Sequence, residues 1–311
     1  MGNNSELKSL SSDNKEYKIG ILSILFCQIW WGLCPVYWQA LEPIESWKII
    51  IYRIFTMFVY SYIVARTQYS RAEIFGPLKE KSVRRLYFFA GLVLTANWSI
   101  YIWAMVSERV IQSAIGYYIQ PIVVCVVGII FFKEKLTKYN ITAMVLASIA
   151  IVIMLIHYRQ VPGVALSLAG TWALYSAIKK ASDKPVLLTL VYETMIYAAI
   201  ALIAIVYIEA NGIGVLSMHL PGKFALLLLS GLVTLIPVGL FGVSAKRVPL
   251  LAIGMLGYIS PTITLLLGIF VFKEPIDTTQ IISFVIIWIG LAFFSYGEYK
   301  RSKEQLPTDH S

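Results

Sequence analysis

The sequence predicts an all-α integral membrane protein whose ten transmembrane helices form an inverted five-plus-five repeat. Three observations lead there. Hydrophobic residues fill 58% of the 311 positions and charged residues 14%, about half the charged share of a soluble domain. Apolar runs of about 20 residues, enough to cross a bilayer core of about 30 Å, recur along the chain. Finally, residues 118–136 (YIQPIVVCVVGIIFFKEKL) return at 258–276 (YISPTITLLLGIFVFKEPI). At a constant offset of 140, eight of these nineteen positions agree, including Pro121/Pro261, Gly128/Gly268, Lys133/Lys273 and Glu134/Glu274. Apolar matches come cheaply in lipid-facing segments, so the shared Pro, Gly and Lys-Glu carry the weight. With an odd number of spans in each half, the second half is inverted, an arrangement used by many secondary transporters.

The spans follow in order. The first, 18–40, comes after seventeen polar residues without a cleavable signal and reads as a retained signal-anchor. The second, 47–65, carries Arg53, and the third, 86–106, carries Asn97, Trp98 and Tyr101. The fourth, 111–132, holds Tyr118, Gln120 and Pro121; the fifth is 139–157. The sixth, 162–178, is short, interrupted by Gly163 and Gly170, and holds Trp172 and Tyr175. The seventh, 185–208, carries Glu193; the eighth, 224–245, carries Pro237. The ninth, 249–272, holds Tyr258, Ser260 and Pro261, and the tenth is 278–296. These runs are long and continuous, unlike the alternating strands of about ten residues in a β-barrel. The chain then divides into a tail at 1–17, a first repeat at 18–157, a second at 162–296 and a tail at 297–311.

The net charge of +9 does not point to nucleic acid. With the N-terminus in the cytoplasm, the ten spans place twenty Lys and Arg in inner segments and five outside, with Arg53 alone inside a span. That is the positive-inside pattern, and it puts both termini in the cytoplasm. Cys27, Cys34 and Cys125 all fall within spans without metal-site or CxxC spacing and read as small packing residues. No metal or cofactor is expected.

Charges at bilayer depth are costly and tend to be functional. Arg53 and Glu193 lie well inside spans and are 140 residues apart, so they occupy equivalent places in the two halves. A rise of about 1.5 Å per residue puts them at depths from which an extended Arg could approach the carboxylate. They read either as a fixed ion pair, or as an anchor for an anionic group (Arg53) beside a group that carries a coupling proton or binds a cation (Glu193). Trp31, Asn97, Trp98, Tyr101, Tyr118, Gln120, Trp172, Tyr175, Tyr258 and Ser260 are polar or aromatic at depth. Buried hydroxyls and amides need partners, so each reads either as a helix-packing residue or, taken as a set, as part of the wall of a substrate cavity. Trp38 and Trp103 lie near span ends and read as interface anchors. Pro121 and Pro261 remove helix hydrogen bonds and read either as hinges or as purely structural kinks.

At these residues the chain resembles a known group. Asn97-Trp98 with Tyr101-Ile102-Trp103-Ala104, Gly116 to Pro121 (GYYIQP), Phe132 to Leu136 (FKEKL), Tyr52-Arg53, Glu193-Thr194, Thr234 to Pro237 (TLIP) and Gly257 to Pro261 (GYISP) followed by Lys273-Glu274-Pro275 are similar to motifs of RarD-like proteins. These belong to the EamA part of the drug/metabolite transporter superfamily. The resemblance implies ten helices, an inverted repeat, cytoplasmic termini and a plasma-membrane permease. Two positions depart from the pattern: Tyr52 stands where the group usually has His, and Gln120 where Asn is common.

The function expected is a multi-pass secondary transporter that moves a small organic metabolite or drug by alternating access. Export is the direction the resemblance favours, with uptake of an amino acid or similar solute as the alternative. A membrane-embedded enzyme would need a His/Asp/Glu cluster or metal site. His157 and His219 are isolated from each other in sequence and no HExxH occurs, so an enzyme is not expected. An accessory membrane subunit would not explain paired charges at repeat-equivalent depths.

Overall fold

The computed structural model describes residues 2–106, 110–159, 163–273 and 277–304, and every regular element in them is helical. The elements are α1 (Gly2–Gln39), α2 (Ser46–Gln68), the short α3 (Arg71–Phe75), α4 (Lys81–Val106), α5 (Val110–Phe132) and α6 (Lys138–Tyr158). Then follow α7 (Gly163–Ala181), α8 (Val186–Ala210), α9 (Pro221–Ala245), α10 (Leu250–Leu256), α11 (Ile259–Leu267) and α12 (Thr278–Glu304). Eight helical stretches are long and apolar enough to cross a membrane: α1 from Asn14, α2, α5 from Ile115, α6, α8, α9, residues 250–272, and α12 to Arg301. The 26 residues of α4 and the 19 of α7 are diluted by Lys81, Arg84, Arg85 and Asn97 in one and by Lys179 and Lys180 in the other. The segment read as a polar N-terminal tail is helical from Gly2 and continuous with α1. Its inner end is tied down where Arg247 Nε donates to Glu16 at 2.6 Å.

The 140-residue offset pairs α1 with α7, α2 with α8, α4 with α9, α5 with α10–α11, and α6 with α12, and most element ends coincide within a few residues. The packing obeys the same exchange. Three pairings map onto themselves: α2 on α8, α5 on α10, and α6 on α12. The others come as partners: α5 on α7 with α1 on α11, α2 on α9 with α4 on α8, and α1 on α9 with α4 on α7. All of these extensive pairings run between the halves.

In lipid the hydrophobic effect does not drive helices together, so close backbone approach at small residues does more of that work. Ala143, Ala147 and Ala150 form a buried stripe on α6, facing Ser283 and Gly290 of α12. Gly91 and Gly231, again 140 apart, mark the tightest crossings. A Cβ on Gly91 would lie 2.1 Å from the Glu193 carbonyl oxygen, and one on Gly231 2.2 Å from the Met57 nitrogen. Gly231→Ala should therefore force α2 and α9 apart and destabilise by about 1–3 kcal/mol, read as a lower Tm in detergent. Gly170→Ala is the control: nothing lies within 4 Å of its Cβ, and an alanine in that helix should be neutral or stabilising. Equal Tm changes in the two variants would refute this account of the crossing.

The expected hinges differ between halves. Helix α5 runs unbroken through Pro121, whereas its counterpart breaks at Gly257–Tyr258 between α10 and α11, with Pro261 in the first turn of α11. Proline has no N–H for the carbonyl four residues earlier, so Pro121 frees the Tyr117 carbonyl and Pro261 that of Gly257. Past α11 the chain closes in a π-helical turn at Gly268–Phe272, absent from α5.

Candidate functional site

Between the halves lies a cavity of about 450 Å³, within the range of small-molecule sites. Helix α1 contributes Gln28, Trp31, Cys34, Pro35 and Trp38; α2 contributes Arg53; α4 contributes Asn97, Trp98 and Tyr101. Helix α5 adds Tyr117, Tyr118 and Gln120, α7 adds Trp172, and α9 adds Val233, Thr234 and Val238. The broken ninth segment adds Gly257, Ser260, Pro261, Thr264, Leu265, Gly268 and Ile269, and α12 adds Gln280. These positions lie from mid-helix toward the C-terminal end of α1 and the N-terminal ends of α2 and α12. Trp172 forms the floor, edge-on to Trp31 at 5.2 Å and 5.0 Å from the Phe241 ring. Beyond it, Tyr175, Phe241, Cys125 and Leu251 are buried in continuous core.

Arg53 is the one charged residue on the described lining. Its guanidinium lies 4.4 Å from the Trp98 ring centre and 5.4 Å from that of Trp38, and its buried Nε has no hydrogen-bond partner. Each cation–π contact is worth about 0.5–2 kcal/mol. Removing a cation from water costs several kcal/mol, so the two indoles hold Arg53 in place without neutralising it. Asn97 braces the same wall, its Nδ2 donating to the Leu168 carbonyl and Thr171 Oγ1, each at 2.9 Å. Tyr101 meets Tyr117 edge-on at 5.9 Å.

Glu193 lies elsewhere. It is 2% exposed and off the described cavity lining. Lys179 Nζ donates to its Oε1 at 2.9 Å, and the Tyr175 hydroxyl donates to its Oε2 at 2.8 Å. Lys179, itself 1% exposed, also donates to Thr189 Oγ1 at 2.6 Å. The approach of Arg53 to Glu193 drawn from their depths is thus corrected: Glu193 turns to a lysine inside its own half, and Arg53 turns to two indoles. The repeat offset shows why the halves differ. Lys179 corresponds to position 39, which is the neutral Gln39, so the first half has no counterpart to the counter-ion of the second.

Of the twelve residues read from the sequence as substrate-binding, Trp31, Arg53, Asn97, Trp98, Tyr101, Tyr118, Gln120, Trp172 and Ser260 meet on this cavity. Glu193, Tyr175 and Tyr258 stand behind it; the Tyr258 hydroxyl donates to the Tyr118 carbonyl at 3.0 Å across the α5–α10 contact. Sequence reasoning placed Trp38 at the membrane interface and Lys179 among the inner-loop charges. The four-residue step from Tyr175 to Lys179, which shares one helix face, is the signal for the latter. Gln280 and Thr264 carry no sequence signal that distinguishes them from packing residues. Glu274 and Pro275 lie outside the described residues.

Opposite the cavity, Glu134 of the repeated Lys-Glu pair seals the structure. Lys133 adopts a left-handed φ of 52°, which turns the chain so that Glu134 reaches the start of α10. Its Oε1 accepts the Leu250 N–H at 2.7 Å and its Oε2 the Leu251 N–H at 2.8 Å. Lys180 Nζ lies 3.3 Å from the same carboxylate and donates to the Val248 carbonyl at 2.9 Å. Gly128 leaves the room: a Cβ there would lie 2.5 Å from Glu134 Oε2.

Comparison with known proteins places this architecture. The model of the EamA-like transporter family matches twice, at residues 18–156 and 162–296. The chain is 34% identical to the uncharacterized transporter YojE of Bacillus subtilis, over 92% of this chain and 96% of that one. It is 30% identical to protein RarD of Streptomyces exfoliatus, over 93% and 91%, and 27% identical to protein RarD of Escherichia coli, over 91% and 95%. A solved crystal structure matches with a TM-score of 0.68 at 15% identity, covering 90% of this chain and 96% of its own; that likeness concerns the fold alone.

Proposed function

This chain belongs to the EamA-like transporter family, and from that membership we propose a ten-span secondary transporter that moves a small organic solute across the cell membrane by alternating access. It is RarD-like, and it is a membrane transporter by family. In the proposal α4 and α7 cross the bilayer with the eight more apolar stretches, both termini are cytoplasmic, and the second half is inverted relative to the first. The observation that carries it is a cavity between the halves, open space on one side of Trp172 and continuous core on the other. Exchange symmetry in the packing supports two interchangeable bundles that rock about the site.

In this reading Trp31, Trp98 and Trp172 enclose the solute, Arg53 orients it, and Pro121 and Pro261 are the points where the fourth and ninth spans bend. Glu193 is the coupling acid: taking up a proton would release Lys179 and Tyr175 and loosen α7 from α8. Export is the direction that the RarD-like resemblance favours. Flux measurements in proteoliposomes across a broad metabolite panel, with and without a proton gradient, test the proposal. Wild-type protein is expected to move at least one panel solute, and Glu193→Gln to lose the dependence on the gradient. Impermeant amine reagents should reach the exposed Lys133 and Lys273 from opposite faces of intact cells. Absence of any flux, or labelling of both lysines from one face, would overturn it.

A further inference from the structure

We propose that the solute is an organic monoanion carrying a flat ring, such as an aryl or arylalkyl carboxylate, and that cations and zwitterions are disfavoured. The inference rests on the transport reading and names the substrate class of the same cavity. It follows from a charge imbalance. Arg53 lines the cavity with no carboxylate among the described lining residues, and its Nε is buried without a partner. The equivalent residue of the other half, Glu193, has its counter-ion built in as Lys179 at 2.9 Å. The position that would supply one to Arg53 is the neutral Gln39. The missing negative charge is left for the solute to bring. Trp98 and Trp38 approach the guanidinium from the ring side, which leaves its N–H edges for a planar two-oxygen acceptor, the geometry that arginine recognises best.

The rest of the lining fixes the other end of the molecule. Trp31, Trp98, Trp172 and Tyr101 line the cavity with aromatic rings, which suit an apolar ring. The neutral amides of Gln28, Gln120 and Gln280 can satisfy hydroxyl or carbonyl substituents, but none carries the charge that would fix an ammonium. An ammonium placed beside Arg53 would meet a like charge, so amines and amino acids bind less well than the matching acid.

Four ligands that share one ring and chain separate the classes: 3-phenylpropanoate, 3-phenylpropanamide, phenylalanine and phenethylamine. Titration calorimetry on purified protein should show the propanoate binding at least about tenfold more tightly than the amide, as expected for a charge-assisted hydrogen bond, and the amine more weakly than the amide. Arg53→Gln should bring the propanoate-to-amide ratio close to one. Arg53→Lys, which keeps the charge without the fork, should give an intermediate ratio. Lys273→Gln, an exposed charge off the cavity, should leave it unchanged. Phenylalanine or phenethylamine binding as tightly as the propanoate, a ratio that survives Arg53→Gln, or binding of none of the four would overturn the proposal. The wild-type series decides it even if the Arg53 variants fail to fold. Flux of a different panel solute with no binding of the propanoate removes the substrate class and keeps the transporter; propanoate binding in protein that moves nothing does the reverse.

Discussion

Lys179→Met is expected to destabilise the protein by about 3–5 kcal/mol, the cost of leaving one member of a buried ion pair without its partner. Lys179 and Glu193 are 1% and 2% exposed. With the ammonium gone, the buried carboxylate would keep only the Tyr175 hydroxyl. Thermal unfolding in detergent should show a large drop in Tm. Glu193→Gln should lose less, because the amide can still accept from Tyr175. The double variant Lys179→Met/Glu193→Met should recover much of the loss, since well-packed apolar replacements of a buried pair are often neutral or better. A wild-type Tm in Lys179→Met, or a double variant worse than both single ones, would show that the pair is not what holds α7 to α8.

The second large effect is expected at Glu134. Its carboxylate satisfies two N–H groups at the start of α10 and lies 3.3 Å from Lys180. Hydrogen bonds to charged groups contribute about 1.5–3 kcal/mol each, so Glu134→Ala should weaken the seal of α5 on α10 by enough to shift an opening equilibrium at least about tenfold. The chain carries its own reporter. Cys125 is fully buried at that contact, its thiol donating to the Leu251 carbonyl at 3.4 Å. In a background where Cys27 and Cys34 are alanine, labelling of Cys125 by N-ethylmaleimide should be slow in the parent and at least about tenfold faster with Glu134→Ala. An unchanged rate would show that the contact is permanent packing and not a gate.

Much of the architecture was legible because the bilayer narrows the choices: long apolar runs, charge placement and a repeated Tyr-x-x-Pro with Gly and Lys-Glu each point to helices in two related halves. Nine of the twelve residues read as substrate-binding meet on one cavity because polar and aromatic side chains at depth have few other places to go. What stayed hidden depends on rotation and pairing. Helical depth gives Arg53 and Glu193 comparable heights, but only the side-chain bonds from α7 to α8 show that Lys179, in the last turn of a short helix, reaches back into the core. Composition likewise favours the interface for Trp38, and only the fold sets its ring near Arg53. The matched prolines suggested two equal bends; one helix runs through its proline and the other breaks before it, at Gly257–Tyr258, where α5 has Tyr117–Tyr118.

The exchange of contacts between halves bears on how the chain is made. Because each extensive helix pairing needs one member from either side of residue 160, the helices before that point leave the ribosome before their partners exist. Arg53, Asn97 and the Gly91 groove must then wait in lipid, or against the insertion machinery, until the later segments arrive. Assembly of this protein is therefore completed only after its later helices have been made.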